Sequence, residues 1–181
     1  MTTYIALLRG INVGKAKRIA MMDLRALLDG LGHTGVATLL NSGNVVFQSR
    51  KETPAKLAVE ISAAIAAELK IDVPVIVKSA NELITILAEN TLAEAADDPS
   101  RLLVAFVQDA GVLPALSAIA PLVVPPEQFR VGREAAYLHC AGGILESRAA
   151  EALLGKAGKA ATTRNWATVL KLQALVEKLG S

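Results

Sequence analysis

Five residues, Tyr4-Ile5-Ala6-Leu7-Leu8, run into Arg9-Gly10-Ile11-Asn12-Val13-Gly14 without a polar interruption. A run without polar alternation predicts a central strand covered on both faces. The strand must then deliver a polar loop. Arg9 stands at its end, and Gly10 and Gly14 allow backbone angles that a Cβ would forbid. Lys15, Lys17 and Arg18 follow at once. Exposed N–H groups beside cations suit an anion; the plainer reading is a solvated basic loop. The segment is no P-loop. One residue is missing between its glycines, and Ala16 stands where a Ser or Thr hydroxyl should reach magnesium.

The remaining periodicity sets the fold class. Met21, Leu24, Leu27, Leu28 and Leu31 mark one face of a helix over residues 20–31. Strands are predicted at 36–40 and 45–48, with Asn41-Ser42-Gly43-Asn44 turning between them. Thr53 caps a second helix with Pro54 at its first position, and Leu57, Ile61, Ile65 and Leu69 recur along it. Residues 73–78 return to strand. Strand, helix, strand, strand, helix, strand is the ferredoxin-like order. Gly30-Leu31-Gly32-His33-Thr34-Gly35 spells a dinucleotide fingerprint, but it follows a helix and precedes a strand, the reverse of what pyrophosphate binding needs. It reads as a helix end and turn, with no nucleotide.

The second half is smaller and less regular. A short helix follows Ser79, and the polar stretch 90–101, with Asp97-Asp98-Pro99-Ser100, breaks the pattern. Then come a buried strand at 102–107, a helix at 112–120 and a hairpin of 129–131 with 136–139. A helical turn at 149–154 and a flexible basic loop at 155–159 lead to a last helix, starting at Thr162 or Thr163 and ending near Lys178. No final strand is evident. The expectation is an α+β chain with a ferredoxin-like subdomain at 1–79, packed with a second α+β subdomain and its C-terminal helix at 80–181.

Composition narrows the function classes. The chain is 52% hydrophobic but only 3% aromatic, so Ala and Leu build the core. A net charge of +2 is too weak to argue for nucleic acid from total charge. The single cysteine, Cys140, excludes an internal disulfide and a multi-cysteine zinc site. No signal peptide is recognisable, and no uncharged run reaches the ~20 residues of a membrane span. A soluble cytoplasmic protein without cofactor or metal is expected. His33 and His139 lack metal-ligand spacing. Asp97 and Asp98 read as solvated turn residues.

The last helix carries the remaining polar cluster. A start at Thr162 or Thr163 puts Arg164 in its first turn and places Arg164, Thr168 and Lys171 on one stripe. A capped helix start suits an anion. Trp166 reads as a core anchor.

Taken together, Arg9-Gly10-Ile11-Asn12-Val13-Gly14, Asn41-Ser42-Gly43-Asn44-Val45-Val46-Phe47 and Thr163-Arg164-Asn165-Trp166-Ala167-Thr168-Val169 resemble three signatures of a bacterial family, the domain of unknown function 1697. The resemblance runs from Tyr4 to Leu175. It implies a small cytoplasmic α+β protein with a ferredoxin-like N-terminal part, and it implies no reaction. Members commonly carry a second glycine where this chain has Lys15, and Ser-Lys where it has Ser147-Arg148. Arginine keeps the charge but not the reactive amine, which argues against amine catalysis at position 148.

The functional expectation is a binding module for an anionic or phosphate-bearing ligand, a small molecule or nucleotide. Its residues would be Arg9, Asn12, Lys15, Asn41, Ser42, Asn44, Arg164, Asn165 and Lys171 in one site. The alternatives are an enzyme on such a ligand, with Ser42 or Lys15 reactive, or a structural or protein-interaction domain. Nucleic acid is a weaker partner class, and oligomeric state is not legible.

Overall fold

The computed structural model describes residues 1–50 and 52–180. The chain is mixed α+β, with two four-stranded antiparallel sheets. It divides into two compact units: Met1–Asn81 together with Lys171–Ser181, and Glu82–Leu170. The end of the C-terminal helix thus groups with the first unit.

The first unit runs β1 (Thr2–Leu8), α1 (Met21–Gly30), β2 (Thr34–Leu39), β3 (Asn44–Ser49), α2 (Pro54–Leu69) and β4 (Val75–Ser79). Its sheet has the order β2-β3-β1-β4. β1 is central and antiparallel to both neighbours, with Tyr4 opposite Phe47 and Leu8 opposite Val75. Strand periodicity divides β1 between two buried faces. Tyr4, Ala6 and Leu8 join Leu24 and Leu28 of α1 and Leu57, Ile61 and Ile65 of α2 in one core. Ile5 and Leu7, on the other face, are also fully buried, as is Lys78 of β4. The uninterrupted apolar run reflects this double burial. Thr53 Oγ1 accepts the Lys56 amide at 3.3 Å, and Pro54 opens α2. Gly32, between α1 and β2, and Gly35, near the start of β2, are both in the left-handed region, so this glycine cluster carries the chain from helix into strand.

The second unit takes in most of α3 (Ala80–Ala88), then β5 (Leu102–Val107), β6 (Gln128–Val131), β7 (Ala135–His139), α4 (Arg148–Leu154), β8 (Ala161–Asn165) and the start of α5 (Trp166–Gly180). Its sheet order is β6-β7-β5-β8, matching the first sheet position for position. Every residue of β5 is buried.

Several expectations for this half need correction. A final strand exists: Ala161–Asn165 pairs with β5, with Arg164 opposite Val104. The β-branched Thr162 and Thr163 serve a strand rather than capping a helix. The stretch expected as a helix at 112–120 is a succession of 3₁₀ turns over Ala110–Leu122. Pro114 and Pro121 each remove an amide donor and disfavour a continuous α-helix. The basic loop at 155–159 holds a 3₁₀ turn, Lys156–Gly158, in which Gly158 is buried. Trp166 is half-buried at the start of α5 instead of anchoring the core.

Candidate functional site

The loop after β1 is built on Asn12. Leu8 ends the strand, and the Arg9 amide donates to Pro74 O at 3.0 Å. Gly10, Asn12 and Gly14 then adopt φ of 71°, 56° and 68°. Asparagine is one of the few side-chain-bearing residues at ease in that region. Its amide closes the loop: Nδ2 donates to Ile19 O at 2.8 Å and Oδ1 accepts the Ile19 amide at 2.8 Å. The Asn12 backbone N–H also donates to Lys17 O at 3.1 Å. Ile11 and Ile19 are buried at the two ends of the loop, leaving Val13 to Arg18 outside. Arg18 Nη1 donates back to Asn12 O and Gly14 O at 3.4 and 3.3 Å, so its charge lies over the loop.

The Asn12 side-chain amide ties this loop to the β2–β3 turn, with Nδ2 donating to Asn41 O at 2.7 Å. That turn is shaped by Leu40 at φ 57° and Gly43 at φ 88°. A Cβ on Gly43 would stand 2.7 Å from Leu8 Cβ and 2.9 Å from Ile11 Cδ1, so only glycine lets the turn sit against the end of β1. Leu8 N donates to Gly43 O at 2.9 Å. The fully buried Asn44 donates through Nδ2 to Leu39 O and Ser42 Oγ, both at 2.8 Å. Ser42 therefore helps hold the turn.

Between the two loops lies a groove of about 330 Å³, lined by Asn12, Arg18, Ile19, Ala20 and Asn41. Residues 9–20 contribute Arg9, Lys15, Lys17 and Arg18 and no carboxylate. Lys15, Lys17 and Asn41 are exposed, and Arg9 is partly so. Like charges held on one short loop attract anions, most strongly at low salt.

In the first unit the structure joins Asn12 to Asn41 and Asn44 to Ser42, with Arg9 and Lys15 on the same loop as Asn12 but not among the residues that line the groove. The third motif differs from expectation. Arg164 belongs to β8 and is 8% exposed, so it is no hook in a helix's first turn. Its Nη1 donates to Thr163 O at 2.9 Å, and burial pushes its pKa down to about 10, leaving it charged at neutral pH. Asn165 caps α5, its Oδ1 accepting the Thr168 amide at 2.9 Å. Thr168 is buried and Lys171 exposed, so no stripe of Arg164, Thr168 and Lys171 exists. Arg164 and Asn165 lie in the second unit, and Lys171 counts with the first. Asn165→Ala should lower stability by about 1 kcal/mol, and Asn165→Asp should retain most of it. Urea denaturation of both variants checks this assignment.

Arg18, Ile19 and Ala20 line the groove without having been singled out as ligand-binding in the sequence. The usable signal is Asn12 between two glycines, since asparagine in such a place fits a left-handed residue whose side-chain amide can bond to nearby backbone.

Against known proteins, the profile described as "Protein of unknown function (DUF1697)" matches residues 1–137. The chain belongs to the DUF1697 family. Both loops of the groove fall inside the matched region, whereas β8 and α5 lie beyond it. The fold is shared with the conserved bacterial protein SP0830 from Streptococcus pneumoniae: TM-score 0.80, 24% identity, covering 97% of this chain and 98% of that one. None of the curated proteins matches this DUF1697 chain. Among the described residues no helix is long and apolar enough to cross a membrane, and no three His, Cys, Asp or Glu side chains are grouped to hold a metal.

Proposed function

We propose that this DUF1697 protein is a binding module for a small phosphate-bearing anion, seated between the Arg9–Ala20 loop and the β2–β3 turn. One observation carries the reading. A single side chain, Asn12, fixes the basic loop to itself and to the neighbouring turn by three hydrogen bonds of 2.7–2.8 Å. A loop fixed this way loses little freedom on binding, which favours affinity. Its four cations face no carboxylate from within the loop. Asn12, Arg18 and Asn41 line the site, Arg9 and Lys15 add charge from the same loop, and Ser42 and Asn44 shape the facing turn. Each unit reads as ferredoxin-like, supported by the order strand 2, 3, 1, 4 in both sheets, and the protein as cytoplasmic.

The test is calorimetric titration with pyrophosphate at two salt concentrations. Saturable binding that weakens as salt rises is expected. The double variant Lys15→Ala/Lys17→Ala should bind about tenfold more weakly, a change of ~1.4 kcal/mol, with an unchanged melting temperature. Binding that ignores both salt and the double variant would count against the site.

A further inference from the structure

The second unit holds a cleft of different character, about 370 Å³, at the sheet end where β5 begins and β7 finishes. Asp97, Asp98, Arg101, Gln128 and His139 supply its polar wall, and Pro126 part of its apolar one. Gln128 and His139 are cross-strand partners in the β6–β7 pair, and His139 is also opposite Leu102 of β5. Their relative placement is thus set by sheet register.

Arg101 is held in place. Its Nε lies 3.6 Å from Asp98 Oδ2, and Nη1 donates to Ala141 O at 2.9 Å. The Arg101 carbonyl accepts the Cys140 amide at 2.8 Å, tying the arginine backbone to the end of β7. Asp98 is itself fixed, because Oδ1 accepts the Ser100 hydroxyl at 2.6 Å and the Ser100 amide at 2.9 Å. These bonds, with the nearby Arg101, hold the Asp98 carboxyl below its ordinary range. Guanidinium carries five N–H donors. Two directions are committed to Asp98 and Ala141, which leaves donors on the outer nitrogens.

Charge then selects the ligand class. Asp98 and Arg101 neutralise one another, whereas Asp97 makes no hydrogen bond or ion pair among the described residues. The cleft therefore offers an unspent carboxylate beside a partly spent guanidinium, with imidazole and carboxamide next to them. A bare anion meets net negative charge there, and a bare cation leaves the guanidinium donors unused. A molecule carrying both a carboxylate and an ammonium satisfies both. We infer that this cleft binds a free α-amino acid, its carboxylate on Arg101, its ammonium on Asp97, and its side chain toward Gln128 and His139. The site is separate from the basic loop of the first unit and does not depend on it.

Each common L-α-amino acid is titrated into the ¹⁵N-labelled full chain, and the signals of Arg101 Nε–H and the His139 amide are followed by NMR. At least one should shift both saturably. For the strongest, the corresponding amine lacking the carboxylate and the acid lacking the ammonium should each bind at least about tenfold more weakly. Asp97→Asn should weaken binding about tenfold, and so should Arg101→Lys, which keeps the charge but not the fork. The analogues need no variant, so the result stands even if a substitution harms folding. No saturable shift at these signals up to about 20 mM, or equal binding by the amine or the acid alone, overturns the inference.

Discussion

Replacing Gly158 with alanine is expected to destabilise the second unit by about 2–3 kcal/mol, a fall in melting temperature of about 4–12 °C. A Cβ at Gly158 would stand 1.7 Å from Leu153 O, 2.7 Å from Leu153 C and 3.3 Å from Leu153 Cα. All three atoms are backbone, so no side chain can rotate aside. Either α4 loses its last turn or the Lys156–Gly158 turn lifts away from it. Both responses disturb the core formed by Leu153 and Ala161 with Leu103 and Ala105 of β5. Gly142→Ala is the matched control, since a Cβ there meets nothing within 4 Å. Trp166 opens α5 in the same unit, so its fluorescence follows the relevant transition. A Gly158→Ala protein melting within about 1 °C of the parent, where even 1 kcal/mol should move it ~2–4 °C, would refute the close packing.

Asn12→Ala has the second large effect. It removes three short hydrogen bonds and forces alanine to φ 56°. Each bond contributes about 1 kcal/mol net, and the left-handed angle costs a non-glycine residue about 1–2 kcal/mol. These terms overlap, because a loop that opens escapes its strain, so a loss of about 2–3 kcal/mol is expected. Asn12→Gly separates the two contributions. Glycine accepts the angle but makes no side-chain bond, so it should recover about 1 kcal/mol relative to alanine. Equal stability of the two variants would mean that the backbone angle is unimportant. Pyrophosphate binding should weaken in both, since both release the loop from Asn41.

The contrast between the two units explains which features the sequence made legible. β1 could be read because double burial leaves an unbroken apolar run, and α2 because Thr53-Pro54 joins a cap to a preferred first residue. β8 could not. Thr162-Thr163-Arg164-Asn165 combines β-branched residues with good capping residues, and only pairing with β5, distant in sequence, decides between strand and helix. The 3₁₀ stretch was hidden in a helix-like pattern that Pro114 and Pro121 interrupt. Gly158 reads as a flexible residue because its contact with the Leu153 backbone, five residues back, depends on how the chain turns after α4.

The candidate site shows the same division. Asn12, Asn41 and Asn44 were identifiable as polar groups needing partners. Which partners they found was not, since Asn12 bonds to Ile19 and Asn41 backbone groups rather than to another motif's side chains. Arg164 was misplaced for the reason β8 was missed. Asp97 read as a solvated turn residue, His139 as a histidine without metal-ligand spacing, and Arg101 as part of a polar break, because the fold, rather than any local spacing, brings them to one cleft.

On the proposed function, the Asn12-anchored loop is where an anion binds. The most direct measurement is a pyrophosphate titration of the ¹⁵N-labelled protein, followed at the Asn12 side-chain amide and the backbone amides of Lys15, Arg18 and Asn41. These signals should move together along one saturable curve, and the curve should shift to higher ligand concentration as salt is raised. Signals that stay still at the loop, or a saturable response confined to other parts of the chain, would contradict it.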